Sequence, residues 1–268
     1  MNAVIFDVAL TAYIAATVAM AASLLGRREP LIAFAELLTG AGWVCHTISL
    51  AMRWAETGRV PLLTLAEVVS VVIWAVVAWE LWAERRYRAR ILGAFVLPVV
   101  LVLGLLLPTG LRTLALEPPG RSGWVWAHVG LALVGLAALV LNFAGALMYL
   151  VQERQLRAKR PGTWYYQLPS LETLDRLSFR TLTVGFPFLT AGLVLGMAWA
   201  GRAWATRLAV DPLAMLSIVA WVIYAITLSG RAAGHWHGRR AAWSAVVGFC
   251  ALLATLGAGA LLHGRHGS

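Results

Sequence analysis

The stretch Trp199-Ala-Gly-Arg-Ala-Trp-Ala-Thr-Arg-Leu-Ala-Val-Asp-Pro212 joins two long apolar runs of the chain. It is rich in Trp and Arg, holds an acid before a helix-starting Pro, and is too short to fold by itself. About 20 apolar residues of α-helix span the roughly 30 Å hydrocarbon core of a bilayer. We therefore expect the flanking runs to cross a membrane and this stretch, the Trp199–Pro212 segment, to lie at its surface.

Composition extends this interpretation to the whole chain. Of its 268 residues, 60% are hydrophobic and 13% are charged, and the mean hydropathy is +0.77. A soluble domain is excluded because one core could not bury so much apolar surface. The sequence predicts an all-α integral membrane protein that forms one polytopic domain over residues 1–268. Its eight predicted transmembrane helices cover about residues 4–25, 31–52, 62–83, 91–107, 124–151, 181–200, 213–228 and 241–262.

The basic residues predict the orientation. The loops after the first, third, fifth and seventh apolar runs carry 15 of the 22 Lys and Arg residues, so these loops face the cytoplasm and both termini lie outside. Within the inner loop between the fifth and sixth helices, Ser170–Leu177 is predicted as a short amphipathic helix. Insertion and anionic lipid, worth about 1 kcal/mol per basic residue near the surface, account for the net charge of +10. The lipid bilayer is therefore an expected partner, and nucleic acid is not.

Three of the six histidines fall in the outer half of the predicted membrane, where an imidazole is costly unless it has a partner. Neutral imidazole is an axial ligand of haem iron, and two histidines on facing helices can hold the ring between them. His128 and His263 are the candidate iron ligands. Alternatively, each of them hydrogen-bonds a helix end at the interface. His46 is a further candidate, with Glu67 or a backbone carbonyl as its alternative partner.

Trp204 lies beside Arg202, Arg207 and Asp211 in the Trp199–Pro212 segment. An indole face suits a porphyrin ring, and guanidinium groups suit its propionates. These four residues therefore join the histidines in a candidate haem site. The two cysteines lie singly inside predicted helices, which disfavours covalent attachment of haem to this chain.

Acidic residues also occur in or near the apolar runs. Glu67 lies near the outer end of its helix, close to Arg53 and Arg59 in the preceding loop, which favours a buried ion pair. Glu36 and Glu80 lie toward the inner ends of theirs, where we expect them to reach water or the arginines of the loops.

Five groups of stretches carry a family resemblance. They are His46-Thr-Ile-Ser-Leu-Ala-Met-Arg-Trp54 with Gly58–Pro61 and Glu67; Arg85–Arg88 with Leu92–Pro98; Trp126-Ala-His128-Val129; Leu168–Leu177 with Gly185-Phe186-Pro187; and Gly238–Trp243 with Gly248-Phe249 and His263. Together they resemble the cytochrome c assembly family of haem-handling membrane proteins, of the CcsA/ResC type with its HemX-like relatives. The likeness covers nearly the whole chain from about residue 36 onward.

The resemblance implies haem b as cofactor, His128 and His263 as external histidines, and a bacterial cytoplasmic membrane as the location. The chain departs from the family's tryptophan-rich signature, W-G-x-x-W-x-W-D-P-K-E. Trp204 and Asp211-Pro212 match it, whereas Leu208 and Val210 stand where two Trp are expected. The resemblance therefore implies a haem-binding accessory or transporter that is not itself a synthetase.

Three functional hypotheses stay open. The first is the haem-handling accessory, with other cytochrome c assembly or haem-biosynthesis proteins as partners. The second keeps the fold without haem, as a membrane assembly or regulatory partner whose basic inner loop, residues 152–180, docks another protein. The third is an ion transporter that uses Glu67, His46 and Asp7.

Overall fold

The computed structural model describes residues 2–26, 29–62, 64–105, 123–159, 168–203 and 212–264. Within these ranges the chain forms eight α-helices, one for each apolar run of the sequence. Their bounds are α1 Asn2–Gly26, α2 Glu29–Thr57, α3 Leu65–Tyr87, α4 Gly93–Leu105, α5 Gly123–Arg157, α6 Leu171–Ala203, α7 Pro212–Ala232 and α8 Arg239–Gly264. The predicted all-helical fold is confirmed for this part of the chain.

Six of these helices are long and apolar enough to cross a membrane, so the protein is a multi-pass membrane protein. The six candidate spans are Val4–Gly26, Glu29–Thr57, Ala66–Tyr87, Ala127–Arg157, Leu171–Ala198 and Ala214–Ala232. The apolar part of α4, Gly93–Gly104, is shorter than a full span.

One predicted element differs. Ser170–Leu177 does not form a separate amphipathic helix, because α6 begins at Leu171 and continues without interruption to Ala203. The four residues that follow Leu177, Ser-Phe-Arg-Thr, include neither Gly nor Pro, so nothing in them stops the helix. The polar segment is therefore the first two turns of a long helix.

The contacts within the chain divide it into two compact units. Unit 1 comprises Met1–Leu116 and Val151–Ser170, and unit 2 comprises Glu117–Leu150 and Leu171–Ser268. The helices α1 to α4 belong to unit 1, and most of α5 together with α6, α7 and α8 belongs to unit 2. The prediction of one domain over residues 1–268 stays a prediction.

Tryptophan pairs and close backbone approaches hold unit 1 together. Trp43 of α2 stacks on Trp74 of α3 with ring centroids 5.6 Å apart. The Trp74 indole N–H donates to the Thr47 hydroxyl at 2.8 Å. A Cβ at Gly42 would lie 2.9 Å from the Tyr13 ring, so α1 and α2 touch at a position where only glycine fits. Trp43 and Trp74 are packing residues, as their positions inside predicted helices indicate.

Small residues bring the helices of unit 2 together. A Cβ at Gly135 of α5 would lie 2.9 Å from the backbone nitrogen of Leu189 in α6. A Cβ at Gly185 of α6 would lie 3.0 Å from the Leu139 side chain. Membrane helices associate through such close packing because lipid gives no hydrophobic drive between them. His128 belongs to α5, and the first residues of the Trp199–Pro212 segment belong to α6. These two helices therefore pack backbone against backbone.

Candidate functional site

His128 lies near the start of α5 and is partly buried against α6. Its Nδ1 atom is 2.6 Å from the carbonyl oxygen of Gly192. A carbonyl oxygen can only accept a hydrogen bond, so Nδ1 carries the proton and donates. In the neutral ring Nε2 then holds the lone pair, and no described residue forms a hydrogen bond to it. This is the tautomer in which an imidazole binds a metal through Nε2 while an oxygen that accepts a hydrogen bond from Nδ1 holds the ring in place.

Two glycines of α6 make room for this ring. A Cβ at Gly192 would lie 3.3 Å from the backbone nitrogen of Ala132, so α5 and α6 are in close contact just below His128. A Cβ at Gly196, one turn further, would lie 2.7 Å from Cε1 of the His128 ring. The Gly-x-x-x-Gly spacing at these positions is the sequence signal that would have pointed to this cradle.

The remaining residues of the candidate haem site lie at the edge of the described chain. Arg202 is in the last turn of α6 and His263 is in the last turn of α8, and the side chains of both lie outside the described part. Trp204, Arg207 and Asp211 are themselves outside the described residues. Their part in the site stays a prediction.

His46 lies in unit 1 and is fully buried. Its Nε2 is 2.9 Å from the Ser70 hydroxyl, its Nδ1 is 3.4 Å from the Tyr13 hydroxyl, and Phe6 packs edge-on to the ring. Its partners are therefore two side-chain hydroxyls, and neither Glu67 nor a backbone carbonyl, which the sequence left open as alternative partners. Haem ligation by His46 would require one of these contacts to open, because each ring nitrogen faces one of them.

Glu67 forms the ion pair expected of it. Its carboxylate is 3.0 Å from the Arg53 guanidinium and 3.9 Å from that of Arg59. It also completes a capping box: the Glu67 backbone N–H donates to the Thr64 hydroxyl, and the Thr64 backbone N–H donates to the Glu67 carboxylate. One carboxylate thus joins α2, the following loop and the start of α3.

Two acids at the other end of unit 1, Glu36 and Glu80, differ in their partners. Glu36 pairs with the loop residue Arg90 at 2.8 Å, as expected. The hydrogen bond from its guanidinium to Glu36 raises the pKa of Arg90 above its ordinary value, and the charge of Glu36 adds to this. Glu80 does not reach water or an arginine: it is fully buried, and neither of its oxygens has a hydrogen-bond partner among the described residues. Glu84, one helical turn after Glu80, is also buried and was missed in the sequence.

Unit 2 has a buried ion pair of its own. Arg231 of α7 lies 2.9 Å from the Asp175 carboxylate of α6, and its guanidinium packs 5.0 Å from the centre of the Phe179 ring. The three residues line an open cavity of about 230 Å³ together with Glu172, Arg176 and His237.

Comparison with known proteins identifies the family. The model of the family described as cytochrome C assembly protein matches residues 62–266, which include His128, His263 and the whole Trp199–Pro212 segment. The chain belongs to the cytochrome c assembly protein family. The resemblance drawn from the sequence is thereby confirmed. The matched range begins after His46, so this histidine lies outside it.

Three similar proteins each carry the name cytochrome c biogenesis protein CcsA. The protein of Synechococcus sp. strain CC9902 is 33% identical over 239 residues, which cover 80% of this chain and 79% of that protein. The protein of Guillardia theta is 31% identical over 241 residues, covering 82% of this chain and 80% of the relative. The protein of Gloeobacter violaceus is 30% identical over 298 residues, covering 90% and 88%.

Proposed function

We propose that the protein binds haem b in cytochrome c assembly, as an accessory or transporter that is not itself the synthetase. The observation that carries the proposal is the hydrogen bond from His128 Nδ1 to the Gly192 carbonyl. It orients the ring and leaves Nε2 as the metal-binding nitrogen. The family match over both candidate histidines, and relatives named cytochrome c biogenesis proteins, support the same function.

In this proposal His128 and His263 would ligate the haem iron, and Trp204 would contact the porphyrin. Arg202 and Arg207 pair with the propionates. Asp211 closes the segment ahead of α7, which begins at Pro212. When bound, haem would supply an iron centre that cycles between two oxidation states. The chain's own contribution is to hold the imidazole in one tautomer and to shield one side of the ring with the glycines of α6.

The accessory role is proposed because the tryptophan-rich signature is incomplete. Leu208 and Val210 occupy two of its Trp positions, and Leu213-Ala214 replaces its Lys-Glu pair. A porphyrin would meet fewer aromatic faces and one fewer cation than in the complete signature. We expect such a surface to control the orientation of bound haem less strictly. This property suits a protein that passes haem on better than one that attaches haem covalently to a cytochrome.

The proposed topology has eight spans with both termini on the outer face of a bacterial cytoplasmic membrane, within one polytopic domain. The loop charges support it: the four inner loops hold 15 of the 22 Lys and Arg residues. The candidate haem residues then lie together on the outer side, where a cytochrome c precursor would receive haem.

An absorption spectrum of the purified protein supplied with haem tests the proposal. We expect a Soret band that the double change His128→Ala and His263→Ala abolishes. His235→Ala is the matched control, because this histidine is exposed in the loop after α7 and should leave the band unchanged. A wild-type protein with no Soret band, or a band that survives the double change, would overturn the proposal and leave the docking function of residues 152–180 as the alternative.

A further inference from the structure

Two buried carboxyl groups lie one turn apart near the end of α3. Glu80 is fully buried, and Glu84 is 8% exposed. Residues four apart lie on the same face of an α-helix, so both side chains project toward the same neighbours. No step of the proposed haem chemistry uses either of them.

Gly93, the first residue of α4, lies against both groups. A Cβ there would be 2.7 Å from one Glu80 oxygen and 3.5 Å from one Glu84 oxygen. The Gly93 backbone N–H donates a hydrogen bond to the Glu84 carboxylate. The Met20 methyl group of α1 closes the same space, since it lies 3.1 Å from that Cβ position. Glu80 is thus directed into a tight pocket that holds a second carboxyl group.

Glu80 lacks any partner in the described structure, although Glu84 has one. Both oxygens of Glu80 are buried and form no hydrogen bond. A carboxylate in that position would be a desolvated charge beside another acid, which is strongly unfavourable. The two carboxyl groups therefore require a bound positive ion, either a proton or a metal ion.

The positive charges nearby are engaged elsewhere or act only on Glu84. Arg90, in the turn before α4, pairs with Glu36 of α2 and also faces Glu29. Arg85 donates to the Leu81 carbonyl of its own helix. Both guanidinium groups and the Glu36 carboxylate act on Glu84. The charge of Glu84 acts on Glu80, and the charge of Glu80 acts on the Tyr13 hydroxyl of α1. Glu80 has no arginine facing it in the described structure.

The fit favours a proton over a metal ion. Alkali and alkaline-earth ions take several oxygen ligands, six or more for calcium. The described residues contain no group of three His, Cys, Asp or Glu side chains that could hold a metal. A Cβ at Gly93 would lie 2.7 Å from a Glu80 oxygen, so the backbone of α4 packs directly against this carboxyl group. A proton needs only one oxygen and no extra space.

We propose that Glu80 and Glu84 form a proton-binding site, in which one proton is held by the two carboxyl groups and exchanged with water at the Arg90 end of α3. In uptake, an O–H bond of a hydronium ion breaks and an O–H bond forms on Glu84. In transfer, the O–H bond on Glu84 breaks as an O–H bond forms on Glu80. Release reverses these steps, so no oxidant or other reactant is needed. The site does not depend on haem.

A hydrophobic carbodiimide tests the site, because it modifies protonated carboxyl groups in apolar surroundings. The full-length protein in detergent is treated at a series of pH values, and the modified residues are mapped by mass spectrometry. We expect Glu80 to be labelled at neutral pH, with labelling that falls as the pH rises. Glu172→Gln, which removes an exposed acid of unit 2, is the control and should leave the Glu80 label in place.

Infrared spectroscopy gives a second measurement on the same protein. The C=O band of a protonated carboxyl group should be present at neutral pH and absent in Glu80→Gln, which keeps the shape of the neutral acid and should fold. Absence of both the label and the band in the wild type would overturn the proposal. Protection of Glu80 from the carbodiimide by Na⁺ or K⁺ at constant pH would also overturn it, by showing a metal cation in the proton's place.

Discussion

The guanidinium of Arg231 in α7 lies 2.9 Å from the carboxylate of Asp175 in α6 and also donates to the Asp175 backbone carbonyl at 3.0 Å. The Arg231 side chain is 5% exposed and its Nε has no hydrogen-bond partner among the described residues. Asp175 belongs to the polar segment predicted as a separate short helix. The ion pair thus joins the first turns of α6 to the end of α7, and it holds this segment within the body of unit 2.

The Asp175→Asn change should lower the stability of unit 2. It removes the counter-charge of a buried guanidinium, and an unsatisfied buried group costs about 1–3 kcal/mol. Glu172→Gln is the matched control, because it breaks the exposed pair with Arg176 and should cost less than about 0.5 kcal/mol. Thermal unfolding in detergent measures both. The double change Asp175→Asn with Arg231→Met should restore stability; no recovery would show that the charge is not the cause.

The Glu67 carboxylate should contribute more to the stability of the protein than either arginine that faces it. Glu67→Ala removes the capping box of α3 as well as the ion pair, and loss of a cap alone costs about 1 kcal/mol. Arg59→Ala is the control on the same carboxylate, because its guanidinium lies 3.9 Å away and its side chain is 41% exposed. We expect it to change the unfolding temperature little. Equal losses for the two variants would contradict this account.

The fold was predictable because hydropathy alone marks the helices of a membrane protein. Without water in the bilayer core, a long apolar run must satisfy its backbone groups as a helix, so each run gave one. The boundary of α6 was missed because polar residues continue a helix as readily as apolar ones when no Gly or Pro intervenes. The polar composition of Ser170–Leu177 indicates that this segment contacts water. It does not indicate where a helix begins or ends.

The partners of buried polar residues were harder to predict. Glu67 and Arg53 are close in sequence, so their pairing followed from the chain itself. The partners of His46 come from two other helices, and the rotation of each helix decides whether Tyr13 and Ser70 face it. The environment of Glu80 likewise depends on Gly93 of α4, whose close approach no sequence pattern in α3 reveals.

Gly196 should be required for haem binding through its effect on His128. In Gly196→Ala the new methyl group would lie 2.7 Å from the imidazole ring, so the ring must shift away from the Gly192 carbonyl. Overpacking of this kind costs about 1–3 kcal/mol, and the same loss of binding free energy lowers haem affinity roughly 5- to 150-fold. Haem titration followed by the Soret band measures the change. Gly130→Ala, on α5 with open space around it, should bind haem as the wild type does.

If both variants bind haem equally, the orientation of His128 does not decide binding. If both lose haem together with their thermal stability, the effect is on α5 and α6 packing in general. The prediction requires a loss of haem affinity confined to Gly196→Ala, in a protein that remains folded during the titration.

Lys159 gives a direct test of the proposed orientation. It is the one lysine in the sequence, and it is exposed just after the end of α5, in the loop predicted to face the cytoplasm. A membrane-impermeant amine reagent should therefore leave Lys159 unmodified in intact cells and modify it once the membrane is permeabilised. Mass spectrometry of the purified protein reads the site, and Lys159→Arg removes the signal while keeping the charge. Modification of Lys159 in intact cells would reverse the orientation and would place His128 and His263 on the cytoplasmic side, where a haem site could not serve an exported cytochrome directly.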